Sequence, residues 1–256
     1  MLYNVMNKIK EKAGAFLNLL KSSKNAVVFT GAGISTESGI PDYRSPGIGL
    51  WENMDQTVVS LNGFLDHPDR YYNFALKLHS VRNSAKPNYA HFMLSQFESE
   101  GLINGIITQN VDGLHYEAGS VNVYELHGSL RQVICLDCGL VQPINGVMER
   151  VGRGENPPLC ENCNGVLKPN AVFFGENLPS IPWEKALQLT NSSDLFISIG
   201  SSLRVSPANT LPNVVIRNKA RLIIINLMNT PYDSKASLVI RQKIAEFAKI
   251  VLDLHS

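Results

Sequence analysis

The sequence predicts an α/β chain, a Rossmann-type doubly wound parallel sheet that carries a small second domain. Three observations lead there. Five short apolar runs, at residues 27–29, 106–107, 121–126, 195–199 and 222–225, each stop in small or polar residues, the pattern of buried parallel strands whose carboxyl ends face a ligand crevice. Helix-patterned segments lie between most of these runs. Two Cys-x-x-Cys pairs interrupt the alternation in mid-chain.

The elements follow in order. Ile9, Ala13, Phe16, Leu17 and Leu20 fall on one helical face, and Glu11 without a neighbouring arginine favours a packed first helix over a transit peptide. The run at 27–29 has the β-branched and aromatic character of a strand buried on both sides. It ends in Thr30-Gly31-Ala32-Gly33-Ile34-Ser35-Thr36. There the glycines permit a sharp turn and close approach to a ligand, and Ser35 and Thr36 offer donors and a helix start. The third glycine of the usual dinucleotide fingerprint is missing, so taken alone the loop fits a tight turn as well as a phosphate cradle.

Residues 37–45 set Asp42, Tyr43 and Arg44 among turn formers. They read either as a surface loop with a local ion pair or as a lid, with Arg44 available to phosphate and Tyr43 to a ring face. From 47 to 86 the pattern is of helical pieces broken at Gly63 and at His67-Pro68, with Phe64, Tyr71, Tyr72 and Phe74 serving as core or as the wall of a channel. A helix over 89–97 leads to the strand at 106–107 and to Thr108-Gln109-Asn110-Val111-Asp112-Gly113-Leu114-His115. The next strand ends in His127-Gly128-Ser129, and the last two end in Gly200-Ser201-Ser202 and in Asn226. Ile240, Ile244, Phe247, Ala248, Val251 and Leu252 share the face of a closing helix.

At 256 residues the chain can bury a full α/β core and carry a small module as well. Its net charge of +1 leaves no broad electrostatic footprint for nucleic acid or an anionic membrane. No apolar stretch approaches the roughly 20 residues of a membrane span, and no signal-peptide pattern is present. A cytoplasmic location is therefore expected, where cysteines serve more often as metal ligands or free thiols than as disulfides. Cys135 and Cys138, then Cys160 and Cys163, form two pairs separated by 21 residues. Two such turns complete a closed tetrahedral Zn²⁺ site, and with no coordination position left open the expected metal is structural. Neither pair opens a helix after a strand, as a redox dithiol would.

With these motifs together the chain resembles the sirtuins, the NAD-dependent protein deacylases, over roughly residues 25–247, and most of all their bacterial and archaeal members. The likeness is carried by residues 31–44, 108–115 and 127–129, both cysteine pairs, the stretch from Lys168 to Asn177, residues 200–203 and Ile225-Asn226-Leu227. It implies an NAD-binding Rossmann-type domain from residues 1–46, 87–128 and 168–256. A helical module (47–86) and a zinc-ribbon module (129–167) would form the small domain. Acyl-lysine proteins or peptides would enter between the domains, and NAD would be consumed as co-substrate while the acyl group passes from lysine to ADP-ribose and nicotinamide is released.

Carried over residue by residue, the resemblance makes His127 the general base toward a ribose hydroxyl, work suited to a histidine. It sets Asn110 and Asp112 beside the ribose and the nicotinamide amide, with Gln109 and Val111 lining the same pocket. Gly31, Ala32, Gly33, Ser35, Thr36, Tyr43 and Arg44 would cradle and cover the pyrophosphate and ribose. Gly200, Ser201, Ser202, Asn226 and Leu227 would hold the adenosine half, with Lys243 standing where an acidic residue is frequent. Val172, Phe174, Gly175 and Glu176 on one side, and Leu203 and Val205 on the other, would sandwich the peptide as an added strand.

Some positions depart from the family pattern. Tyr43 stands where phenylalanine is commoner. Where succinyl-removing members have a tyrosine and an arginine three apart, this chain aligns Ala75 and Leu78, which implies a preference for acetyl and longer neutral acyl groups. Two rival readings remain. A mono-ADP-ribosyltransferase would use the same loops. A non-enzymatic NAD-sensing zinc-ribbon protein would not require both His127 and the Asn110/Asp112 pair.

Overall fold

The computed structural model describes residues 2–45, 47, 49–50 and 54–256, with side chains from residue 6 onward. The five expected strands form as β1 (Ala26–Thr30), β2 (Ile106–Thr108), β3 (Val123–Glu125) and, after three strands around the cysteines, β7 (Leu195–Ile199) and β8 (Arg221–Ile225). Those three are β4 (Gly128–Cys135), β5 (Val141–Pro143) and β6 (Leu167–Ala171), and β9 (Leu238–Ile240) follows β8. The helices are α1 (Leu2–Lys21), α2 (Leu61–Asp66), α3 (Pro68–Ser84), α4 (Tyr89–Ser99), α5 (Leu114–Glu117), α6 (Ile144–Gly152), α7 (Ser180–Ser192), α8 (Leu211–Arg217) and α9 (Ile244–His255).

Six strands make a parallel sheet in the order β3-β2-β1-β7-β8-β9. The chain winds outward from β1 through β2 to β3, crosses back to β7, and winds outward the other way. The reversal falls between β1 and β7, and the crevice of an open α/β sheet lies outside the carboxyl ends at that point. Register places Thr30 opposite Ile199, so the Gly31 and Gly200 loops leave the sheet at the same height.

Alternate residues of each central strand serve opposite faces. Val28, Ile106, Ile197 and Ile223 pack under α1, α4 and α9, where Phe16 meets Phe97 and Phe247 at ring distances of 6.4 and 6.0 Å. Val27, Phe29, Ile107, Phe196 and Leu222 pack under α7 and α8, against Ala186, Leu211 and Val215. Each fully buried aromatic or branched side chain contributes roughly 1.5–3 kcal/mol, so both faces hold the parallel sheet firmly.

A third core belongs to the other sheet, antiparallel in the order β5-β4-β6. Phe64, Tyr71, Tyr72 and Ala75 of α2 and α3 share it with Val133, Val147, Met148, Val151 and Leu167. The helical stretch and the cysteine stretch therefore make one packed unit. Its sheet begins at Gly128 and ends at Ala171, so it overlaps the large-domain segments by one residue on one side and four on the other.

Some expected elements differ. Gly63 does not break a helix but lies inside α2, where an added Cβ would run into the carbonyl of Thr57. The break at His67-Pro68 is real, because Pro68 opens α3 at a position that needs no N–H. Ile240 ends β9 and does not belong to the face of α9. That three-residue strand is too short for its period to separate it from the helix that follows.

Candidate active site

The loops that follow β1, β2, β7 and β8 meet in one cleft. Gly31, Ala32, Gly33, Tyr43, Arg44, Gln109, Asn110, Val111, His127, Gly200, Ser201, Ser202, Val205 and Asn226 line it, and Val172, Phe174, Gly175 and Glu176 close its other side. Ser35 and Asp112 lie in an adjoining inner cavity that shares Ala32, Tyr43, Gln109, Asn110 and Val111 with the cleft. Four expected residues line neither space. Thr36 turns its hydroxyl back to Gly33 O at 3.0 Å, Leu203 is buried in the sheet core, Leu227 is exposed, and Lys243 pairs with Glu246 on the surface at 3.2 Å.

The glycines answer to backbone as much as to any ligand. Gly33 N donates to Gly200 O at 2.9 Å, and a Cβ on Gly33 would stand 2.8 Å from the Gly200 Cα. Gly200 itself has φ of 66°, a conformation that side chains disfavour. The loops after β1 and β7 therefore interlock, and Gln109 Nε2 ties the loop after β2 to them by donating to Ser201 Oγ at 2.8 Å.

His127 enters from the turn after β3. Its Nδ1 lies 3.0 Å from Gln109 O, and since a carbonyl only accepts, Nδ1 carries the proton and Nε2 is left as a bare acceptor. Burial pushes its pKa below the ordinary 6.5, and the bond to Gln109 O opposes that shift. The imidazole is thus a neutral base at neutral pH. Were this imidazole the base of a reaction, the acid limb of the kcat/KM profile would be expected below pH 6.5, because protonation at the depressed pKa would disable it. A limb centred at pH 7 or above would contradict this.

Beside it Asn110 is buried, with Nδ2 3.2 Å from Ser35 Oγ. Ser35 Oγ donates to Asp112 Oδ2 at 2.7 Å, and Leu114 N donates to Asp112 Oδ1 at 3.0 Å. Asp42 does not pair with Arg44 through its side chain. It accepts from the backbone N–H groups of Arg44 and Ser45 at 3.0 and 2.8 Å and so shapes the loop. The Arg44 guanidinium reaches Ser202 Oγ at 3.3 Å across the cleft mouth; burial and Arg204 both lower its pKa. An anion placed there would relieve both effects.

The 172–176 segment is stiffened from below. Val172 N donates to His127 O at 2.8 Å, and Phe174 exchanges backbone bonds with Val59 and Leu61. Buried Lys168 meets Glu176 at 2.9 Å and donates to Ala171 O at 2.8 Å. Motif reading missed Arg82, which lines both cavities, and left Tyr71 and Phe74 undecided between core and channel; both line the cleft. Nothing local marks Arg82, which arrives there only because α3 packs on the zinc-ribbon side.

Away from the cleft, the four cysteine Sγ atoms lie within 4.8 Å of one another, with Cys135 to Cys163 at 3.4 Å and Cys138 to Cys160 at 3.8 Å. Thiolates about 2.3 Å from a tetrahedral Zn²⁺ stand about 3.8 Å apart, and a disulfide needs about 2.05 Å. The donor set fits structural zinc.

The model of the Sir2 family matches residues 31–207. The chain belongs to the Sir2 family. This sirtuin is 50% identical over 226 residues to NAD-dependent protein deacetylase 2 of Caldanaerobacter subterraneus subsp. tengcongensis, with 88% of each chain covered. It is 47% identical over 242 residues to the NAD-dependent protein deacetylase of Sulfolobus acidocaldarius, with 94% of each covered. It superposes with a TM-score of 0.91 and 41% identity on a Sir2 variant structure with a deacetylated p53 peptide and 3'-O-acetyl-ADP-ribose, covering 95% of this chain and 98% of that one. A Sir2 structure bound to a propionylated peptide gives 0.88 at 40% identity, covering 95% and 98%. The resemblance read from the motifs is borne out, and so is the fold of this sirtuin. No helix among the described residues is long and apolar enough to cross a membrane.

Proposed function

We propose that this sirtuin is an NAD-dependent protein-lysine deacetylase. The observation that carries the reading is the bare Nε2 of neutral His127 in one cleft with Asn110, Arg44 and the 172–176 segment. Bound NAD would supply ADP-ribose as the acyl acceptor and nicotinamide as the leaving group. Gly31, Ala32, Gly33 and Arg44 would hold its pyrophosphate, Ser201, Ser202 and Asn226 its adenosine half, and Asn110 with Asp112 its nicotinamide ribose and amide. His127 would take the proton from a ribose hydroxyl at Nε2. The peptide would lie against Val172, Phe174 and Val205, held by backbone hydrogen bonds with loose sequence preference.

The relatives' names and the peptide and O-acetyl-ADP-ribose of the solved structures support the assignment. One incubation of an acetyl-lysine peptide with and without NAD tests it. Deacetylation is expected only with NAD, together with free nicotinamide and O-acetyl-ADP-ribose. Turnover without NAD would overturn the reading, and label from NAD retained on protein would favour an ADP-ribosyltransferase.

For the acyl group we infer a preference for acetyl and longer neutral chains over succinyl. Ala75 is buried in the third core, Leu78 lines the inner cavity, and Val59, Phe74, Leu130 and Val172 give the cleft apolar walls. A succinyl carboxylate lodged there without a partner costs about 2–5 kcal/mol, so at least about tenfold in kcat/KM is expected. Arg82 stands one turn beyond Leu78 on α3. The comparison is therefore made in wild type and in Arg82→Leu. Equal turnover of succinyl- and acetyl-lysine peptides by wild type would overturn the preference, and loss of that succinyl turnover alone in Arg82→Leu would assign the compensating charge to Arg82.

A further inference from the structure

Behind the cleft floor runs a buried polar chain that the proposed chemistry does not use. His91 of α4 and His115 of α5 are 0% and 2% exposed, with ring centroids 5.0 Å apart. Burial lowers both pKa values, that of His91 to about 4, so both rings are neutral at neutral pH. A neutral imidazole has one N–H and one bare nitrogen. Asn88 N donates to His91 Nδ1 at 3.3 Å, which leaves the proton of His91 on Nε2. His115 Nε2 lies 2.9 Å from Thr30 Oγ1, and Thr30 gives its own hydroxyl proton to Thr108 Oγ1 at 2.7 Å. Thr30 can then only accept from the ring, so the proton of His115 is also on Nε2 and its Nδ1 is bare.

Within this polar chain two buried atoms have no partner among the described residues, His91 Nε2 and His115 Nδ1. One is a donor and the other an acceptor, the complement that a single shared water or a small ring movement satisfies. At the far end Thr108 Oγ1 accepts the Asn110 backbone N–H at 3.0 Å. From Asn110 the contacts pass to Ser35 and Asp112 at the inner cavity. Asn88, at the near end, also donates through Nδ2 to Ile34 O at 2.8 Å and Ser38 Oγ at 2.9 Å, gripping the turn that carries Ser35. Both ends of the chain thus bear on one site. Apolar side chains of the same shape would fill this space without the desolvation cost. What the polar chain adds is a fixed place for the Asn110 backbone.

We propose that Thr108, held through Thr30 by the His115 and His91 pair, is the positioning residue that sets Asn110 against Ser35 and Asp112. The kinetic part of the test rests on the deacetylase reading; the spectroscopic parts do not. Thr108→Val keeps the shape and removes the acceptor, whereas Thr108→Ser keeps it. In Thr108→Val, kcat with acetyl-lysine peptide and NAD is expected to fall about 10- to 100-fold with peptide KM nearly unchanged, and Thr108→Ser is expected to stay close to wild type. The Asn110 amide proton, deprived of its acceptor, is expected to move upfield in Thr108→Val but not in Thr108→Ser. An unmoved Asn110 amide in Thr108→Val overturns the proposal whatever the activity, and so does a Thr108→Val enzyme with wild-type kcat. If Thr108→Val fails to fold, histidine-labelled wild type decides: His91 and His115 are expected to be neutral with the proton on Nε2 at pH 7, and a charged ring or the other tautomer on either overturns it.

Discussion

His127→Ala is expected to lower kcat for an acetyl-lysine peptide by about 10²- to 10⁴-fold, the usual contribution of a positioned general base. NAD affinity and melting temperature are expected to change little, because His127 belongs to none of the three cores and, among the described residues, its side chain bonds only Gln109 O. The direction follows from the tautomer. With Nδ1 committed to a carbonyl, Nε2 is the one ring atom able to receive a proton, and alanine removes both the base and the bond that orients it. His127→Gln divides the two effects, since its amide can restore a donor to Gln109 O but cannot act as a base at neutral pH. A His127→Ala enzyme with wild-type turnover would show that the proton goes elsewhere.

Removing zinc is expected to unfold the small domain and abolish activity while the parallel sheet persists. The β5-β4-β6 sheet has strands of 3, 8 and 5 residues, too little to close a core unaided. Cys135 and Cys160 are themselves buried members of that core. Structural zinc is worth about 10–16 kcal/mol to small zinc-dependent folds near neutral pH, as much as the whole roughly 5–15 kcal/mol by which a typical domain is stable. The loss reaches the cleft because Tyr71 and Phe173, which share the third core, also line it. The two cores on the faces of the parallel sheet contain no cysteine, so melting is expected to become two-step on chelation. Metal analysis should find one zinc per chain, lost together with activity and with the first transition. A metal-free protein with unchanged melting and full turnover would refute the structural role.

How far local sequence reaches is clearest residue by residue. The runs at 27–29 and 195–199 read as buried strands, and both lie within strands buried over their whole length, since β-branched and aromatic residues bounded by turn formers leave little alternative. The cysteine spacing led to a four-thiolate cluster for a similar reason: two tight turns of fixed geometry present their sulfurs to a common centre. In sequence the 37–45 loop fits an ion pair and a lid equally well. Its outcome, Asp42 bonded to backbone and Arg44 turned to Ser202, depends on a partner 158 positions away. Gly63 misled because a glycine that admits a neighbouring carbonyl looks, in sequence, like one that ends a helix.

By itself the sequence determined the elements that repeat within a few residues: the strand periods, the zinc turns, the polar ends of the strands, and a set of motifs specific enough to indicate the family. Only the tertiary structure decided which of those ends meet. The fit of Gly33 on Gly200, the reach of Arg82 into both cavities, the bare Nε2 of His127 and the buried line from His91 to Asn110 all join residues far apart in the chain. Contacts of that kind are set by how sheets and helices pack, and residue spacing alone carries no record of it.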